Sequence, residues 1–308
     1  VQVVVSMASV RLGINNCFAV KRWSEPQAWA NIVGRELEVG IVQFSYDLLD
    51  PMTREPLLSF VAEEILEACK RNDVIIDTTF TGLIGYSLNL LMHPNLGMRL
   101  EALKWYEQAV IVVSKLKARG TGGHVASMSV EDFGHENRRS YLESFLVESL
   151  KYLASIAGRE GQRFLLWEPM PLSREQPTTI ACAKELLAKV NEDAKLQVKF
   201  CIDVGHQCAW DVKGSRDLDP YSWLRELAQE SPVIHIQQTD GKGDRHWPFT
   251  KEFNDKGIID AGKLLEAIDA SGAKDITLIM EIIHPSEEKE SKVLQDLVES
   301  ANYWKEFI

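Results

Sequence analysis

The feature that most constrains this chain is a repeated alternation. Short runs rich in Val, Ile and Phe recur at residues 10–16, 39–45, 74–79, 163–168, 198–203, 233–237 and 276–281. Each is apolar on consecutive positions, as expected of parallel strands buried on both faces. Between them lie longer segments with apolar residues at helical spacing, at 55–71, 98–118, 138–158, 177–191, 221–229 and 261–270. Strand followed by helix, repeated, is the pattern of βα units around a parallel sheet. Seven strands are evident, and an eighth is required between the third and the fifth. The only room is the Gly-rich stretch ARGTGGH at 118–124, a poor strand by composition, and the fourth strand is assigned there. Eight units in 308 residues give roughly 38 residues each, which suits a closed (β/α)8 TIM barrel. A doubly wound open sheet competes, but it needs a G-x-G-x-x-G turn after the first strand, and LGINNCF stands there instead. No Pro/Ser/Gly-rich linker divides the chain, so one α/β domain is expected over residues 7–308. Residues 1–6, which precede Met7, are expected to be a non-native extension.

In such a barrel the site gathers where the strands end. Strand five ends in Glu168, strand six in Asp203, strand seven in Gln237 and strand eight in Glu281, successively 35, 34 and 44 residues apart. That is about one βα unit per step, so the four side chains converge on one mouth. Three convergent carboxylates repel one another unless a cation lies among them, and a divalent metal uses them as ligands. With the Gln amide oxygen the donors are all oxygen, which favours Mn²⁺ or Mg²⁺ over zinc; Co²⁺ or Zn²⁺ remain open as substitutes in vitro. Any one of these acids alone is as well explained by capping a helix or pairing with Lys or Arg. Four in sequence, beside His206, His235 and His246, favour the metal. His235 points to the same side as Gln237 but deeper, and reads as a supporting or core residue, not a ligand.

Composition narrows the function. Acidic residues outnumber basic ones by 45 to 34, for a net charge of -11, a field that repels nucleic acid and anionic lipid surfaces. No apolar run reaches the roughly 18 to 20 residues of a membrane span, and the first residues lack the pattern of an export signal. Five Cys, an odd number without a C-x-x-C pair, fit a reducing, cytoplasmic setting.

WEPMP around Glu168, IDVGH around Asp203 and His206, HIQQTD around Gln237, the adjacent Arg245 and His246, and MEIIHP around Glu281 resemble the xylose-isomerase-like superfamily of sugar epimerases and isomerases. This match spans residues 163–285. Many members carry H-x-H-x-x-D on strand seven, with the second His on the metal. Gln237 stands there in this chain, as in the hydroxypyruvate-isomerase-like branch, which keeps a ligand atom and hardens the site. At closer range LGINNCFAVKRW (12–23), FTGLIGYSLNLLMHP (80–94), TGGH (121–124), DVGHQCAW and QQTDGKGDRHWPFT resemble the tetrulose-phosphate 3-epimerases of erythritol catabolism, over nearly the whole chain from Met7.

The resemblance implies that a small ketose phosphate binds the metal through its C2 and C3 oxygens. Glu168 and Glu281 would exchange the C3 proton on opposite faces through a cis-enediolate, serving as both ligands and acid/bases. It implies that His206 contacts the C2 oxygen, helix capping being its plainer role, and that Arg245 contacts the substrate. Lys242, between Gly241 and Gly243, forms a loop suited to a phosphate or an ordinary surface loop. His246 would assist Arg245 or pack on Trp247, and His124 is a candidate substrate contact. Trp167, Trp210, Trp247 and Phe18, with Trp23, are candidates to line the pocket, although aromatics are more often core. Relatives often pair, so a homodimer is compatible.

Three other readings compete. Aldose–ketose isomerisation would use the same groups to move a proton between C1 and C2. An abasic-site endonuclease is raised by Asp244-Arg245-His246, which resembles its D-R-H element; it needs further His ligands on the early strands, which end here in Asn16, Ser45 and Thr79, and a basic face. The third is a sugar-binding module without catalysis.

Overall fold

The computed structural model describes residues 8–208 and 214–308. The segment 1–6 and Trp210 lie outside the described residues. Eight strands, β1 (Ser9–Asn15), β2 (Ile41–Ser45), β3 (Ile75–Phe80), β4 (Gly120–Gly123), β5 (Phe164–Trp167), β6 (Val198–Asp203), β7 (Val233–Ile236) and β8 (Asp275–Met280), form a closed barrel in chain order. Every neighbouring pair is parallel, and β1 pairs with β8 to close the ring. The open-sheet alternative is thereby excluded. The helices are α1 (Pro26–Asn31), α2 (Leu57–Arg71), α3 (Leu96–Leu116), α4 (Val130–Gly134), α5 (Glu136–Arg159), α6 (Ile180–Asn191), α7 (Pro220–Leu227), α8 (Lys251–Asn254), α9 (Ala261–Ser271) and α10 (Glu290–Lys305). Among the described residues no helix is long and apolar enough to cross a membrane.

The fourth strand is where 118–124 is expected, and its glycines have a steric cause. A Cβ on Gly122 would lie 2.0 Å from the Leu166 carbonyl oxygen, and one on Gly120 would lie 2.6 Å from that of Phe164. β4 and β5 approach so closely that side chains on these two positions have no room.

Alternation along each strand sorts the two cores. Phe80, Phe164, Leu166, Cys201, Val233 and Ile279 fill the barrel interior. Leu165, Trp167, Phe200, Ile202, Ile234, Ile236, Leu278 and Met280 join the larger core shared with the helices. In α7 the buried residues Pro220, Trp223, Leu224 and Leu227 form one stripe at helical spacing. Its start is capped by Asp219, which accepts from the Tyr221 and Ser222 N–H groups at 3.3 and 3.0 Å, a device worth about 1 kcal/mol. The same alternation that faces Leu166 and Ile279 inward carries Glu168 and Glu281 inward, one step above them.

Candidate metal centre

The three acids stand on rigid backbone. The Glu168 N–H donates to the Gly123 carbonyl at 3.1 Å and the Glu281 N–H to that of Ile236 at 3.0 Å, so both extend the sheet ladder. Asp203 is the last residue of β6. Each carboxylate has one oxygen held by a donor. The Tyr86 hydroxyl donates to Glu168 Oε2 at 3.0 Å, and Asn15 Nδ2 donates to Glu281 Oε1 at 3.0 Å. Asp203 Oδ1 accepts from the Gly205 N–H at 2.6 Å and from Gln237 Nε2 at 2.9 Å. The other oxygens, Glu168 Oε1, Asp203 Oδ2 and Glu281 Oε2, make no hydrogen bond, and neither does His235 Nδ1. These four residues are buried and bring one ligand atom each within 4.8 Å of one another. Buried carboxylate oxygens without partners are costly, and a divalent cation among them removes that cost. The donor set fits such an ion.

The charges around the centre alternate in sign. Burial pushes the Glu168 and Asp203 carboxyls up. Burial acts the same way on Glu281, but His235 chiefly, with His246 and His206, holds it below the usual range. Burial disfavours the imidazolium of His235, yet Cys201 and Glu281 raise it well above its ordinary value. His206 is likewise raised against burial by Asp203 and Asp244. Asp244 is held well below the carboxylate range by His206 and His246, against its burial, and His246 is pushed up to about 9, chiefly by Asp244 overcoming burial. Asp203, His206 and His246 also bring ligand atoms within 4.8 Å of one another.

Glu168, Asp203 and Glu281 therefore meet as expected of convergent strand ends. Gln237 reaches the same centre in a particular orientation. Its amide oxygen accepts from the N–H groups of Arg245 and His246, while its nitrogen faces Asp203 and, at 2.7 Å, Asp244 Oδ1. His235, read from sequence as a supporting residue, has Nδ1 3.3 Å from Glu168 Oε1, 3.8 Å from Asp203 Oδ2 and 3.0 Å from Glu281 Oε2. Its Nε2 is 2.7 Å from Gln43 Oε1.

His206 lies beside the centre, with Nδ1 2.9 Å from the Pro169 carbonyl and Nε2 3.5 Å from Asp244 Oδ2. His246, a non-glycine residue at φ +48°, turns Nδ1 to the Glu281 carbonyl at 3.1 Å and Nε2 to Asp244; such backbone strain is typical of functional positions. Arg245 is exposed on the same loop, paired with Asp240 at 3.1 and 3.2 Å and lying over Trp247. Lys242 is exposed, and its N–H donates to Asp240 Oδ1. His124 is buried at the end of β4 with its ring 5.7 Å from that of Tyr86, and burial pushes it down to about 4. Trp167 corrects the expectation of a pocket aromatic. It belongs to the core shared with the helices, because the alternation that turns Glu168 inward turns its neighbour outward. Phe18 joins that core and meets Trp23 edge to face.

Sequence reasoning missed Asn15, Gln43 and Tyr86. Asn15 and Gln43 are polar, inward positions in apolar strands, the same signal that marked the later strand ends. In β1 that position lies one residue before the expected strand end, Asn16, whose side chain instead accepts from the Ser45 N–H at 2.7 Å. Tyr86 sits in a single 3-10 turn, Leu83–Ser87, which carries no periodic pattern.

This barrel, with acids converging at the carboxyl ends of its late strands, belongs to the xylose isomerase-like TIM barrel family, whose model matches residues 34–306. The chain is similar to the D-erythrulose 1-phosphate 3-epimerase of Brucella abortus (strain 2308), at 28% identity over 302 residues, covering 96% of each chain. It is also similar to the crystal structure of a provisionally named xylose isomerase from Rhodospirillum rubrum ATCC 11170, at 30% identity and a TM-score of 0.89, covering 97% of this chain and 99% of that one. The D-psicose 3-epimerase of Clostridium cellulolyticum H10, solved with D-tagatose, shares the fold at a TM-score of 0.71 and 13% identity, covering 96% and 98%.

Proposed function

We propose that this protein is a divalent-metal-dependent epimerase that inverts C3 of a small ketose phosphate, a tetrulose phosphate. The observation that carries this reading is the set of buried atoms on Glu168, Asp203, Glu281 and His235 that meet one another and no other hydrogen-bond partner; the substrate class rests on the similarity to the Brucella enzyme. Glu168, Asp203, Gln237 and Glu281 would hold the ion, Mn²⁺ or Mg²⁺. In the observed orientation the Gln237 nitrogen faces Asp203 and Asp244 and its oxygen accepts from the Arg245 and His246 N–H groups, so ligation through the oxygen would require the amide to turn over and these bonds to be replaced by the ion. When bound, the ion supplies polarisation of the ketose carbonyl, which acidifies the adjacent C–H.

The chain's own groups perform the proton chemistry. Glu168 on the β5 side and Glu281 on the β8 side approach a bound sugar from different directions. One carboxylate takes the C3 proton, leaving the enediolate, and the other, as a carboxylic acid, returns a proton to the opposite face, which inverts the carbon. His206, beside the centre, would contact the oxygen on which charge develops. Arg245 and Lys242, on the exposed loop, face a terminal phosphate.

The test is exchange in D₂O with a tetrulose phosphate and Mn²⁺. Product should carry solvent deuterium at C3, and Glu168→Gln and Glu281→Gln should each slow turnover about 10²- to 10⁴-fold. Product that keeps its original hydrogen would overturn the reading.

A further inference from the structure

We infer that Tyr86 is a positioning residue for Glu168, and that Asp47 latches it in place. This rests on the reading of Glu168 as ligand and acid/base. Two of the three central carboxylates are oriented by donors on or next to the strands: Asn15 ends β1, and Gln237 and Gly205 lie just past β7 and β6. Glu168 alone is oriented from a turn of the β3–α3 connection, through the Tyr86 hydroxyl on Oε2. With Oε2 engaged, Oε1 is the oxygen offered to the centre. Loss of the hydroxyl frees the carboxylate to turn and leaves Oε2 without a donor in a buried site.

The turn that carries Tyr86 is itself pinned. Asp47, two residues past β2, accepts from the Leu83 N–H at 2.6 Å and the Ile84 N–H at 3.2 Å, and Ser45 Oγ donates to its Oδ2 at 2.9 Å. Gly82, at φ +80°, lets the chain press against this carboxylate; a Cβ there would lie 2.6 Å from it. Asp47 thus plays the part of a cap for a turn whose fourth residue is Tyr86, and the Tyr86 ring rests beside His124. The path runs from β2 through Asp47 and the turn to Glu168, just past β5. Groups that orient a ligand typically carry 10- to 100-fold of metal affinity or activity.

The experiment compares the wild type with Tyr86→Phe and Asp47→Asn, measuring Mn²⁺ affinity by calorimetry on metal-stripped protein and kcat and KM for C3 exchange of a tetrulose phosphate. Tyr86→Phe should weaken Mn²⁺ binding and lower kcat, each about tenfold, with KM within about twofold and the thermal midpoint lowered by only a few degrees, the protein still folding cooperatively. Asp47→Asn should shift the same two quantities in the same direction by less. Wild-type Mn²⁺ affinity and kcat in Tyr86→Phe would overturn this inference alone. A wild type that binds no Mn²⁺ would overturn the ligand reading of Glu168 and this inference with it.

Discussion

His235 Nδ1 stands 3.0 Å from Glu281 Oε2, both side chains buried, with the far ring nitrogen of the histidine 2.7 Å from Gln43. The pair sets an imidazole against the carboxylates of the centre. It also sets two candidates, His235 on β7 and Gln237 just past it, against each other, because they point the same way one pleat apart.

The proposed site takes Gln237 as its fourth ligand, and His235 is the alternative. Gln237→Leu should weaken Mn²⁺ affinity at least tenfold, and His235→Asn should weaken it less, since on this reading the His235 ring orients Glu281 and meets Gln43 and supplies no donor atom to the ion. Metal titration of both variants checks this, and the reverse ranking would make His235 the ligand.

Arg245 is exposed and already paired with Asp240, so its removal should leave the fold intact. Arg245→Ala and Lys242→Ala should each reduce the preference for a phosphorylated over a free ketose about tenfold, roughly 1.4 kcal/mol of differential binding. The ratio of kcat/KM values for the two substrates measures it. An unchanged ratio would move phosphate recognition elsewhere.

Burial pushes His124 from 6.5 down to about 4. The unfolded chain therefore takes up a proton as pH falls below 6.5, while the folded protein refuses it until pH nears 4. The resulting stability is present above 6.5 and lost on acidification through that window, up to about 3 kcal/mol. Urea unfolding at pH 7 and pH 4.5 should show a smaller acid loss in His124→Gln than in the wild type. Equal losses would place the acid sensitivity on other groups.

The close approach of β4 to β5 makes Gly122→Ala destabilising by about 3 kcal/mol or more, since the added methyl meets a backbone oxygen that cannot move alone. Gly134→Ala, on α4, meets nothing within 4 Å and should be neutral or stabilising by about 0.5–1 kcal/mol. Denaturant midpoints of the two variants check the contrast.

Most of the fold was legible because apolar runs and helical spacing record burial directly, and both survive in one dimension. Seven strands announce themselves this way. β4 does not, since its glycines record how near β5 comes, a relation between segments. Among site residues, Glu168, Asp203 and Glu281 were legible as polar endings of apolar strands, and the outward turn of Trp167 follows from the same alternation once Glu168 is known to face inward. Tyr86 was not legible, because its place depends on a turn held by a residue on another strand.

The order of residues along this chain determined by itself that seven apolar strands would alternate with helices and that acids would stand at the ends of the late ones, because periodicity and burial are local properties. Only the closed barrel decided which oxygen of each acid is free, which donor holds the other, and that His235 shares their centre. Those are matters of distance between segments far apart in sequence, fixed by the register and curvature of the ring.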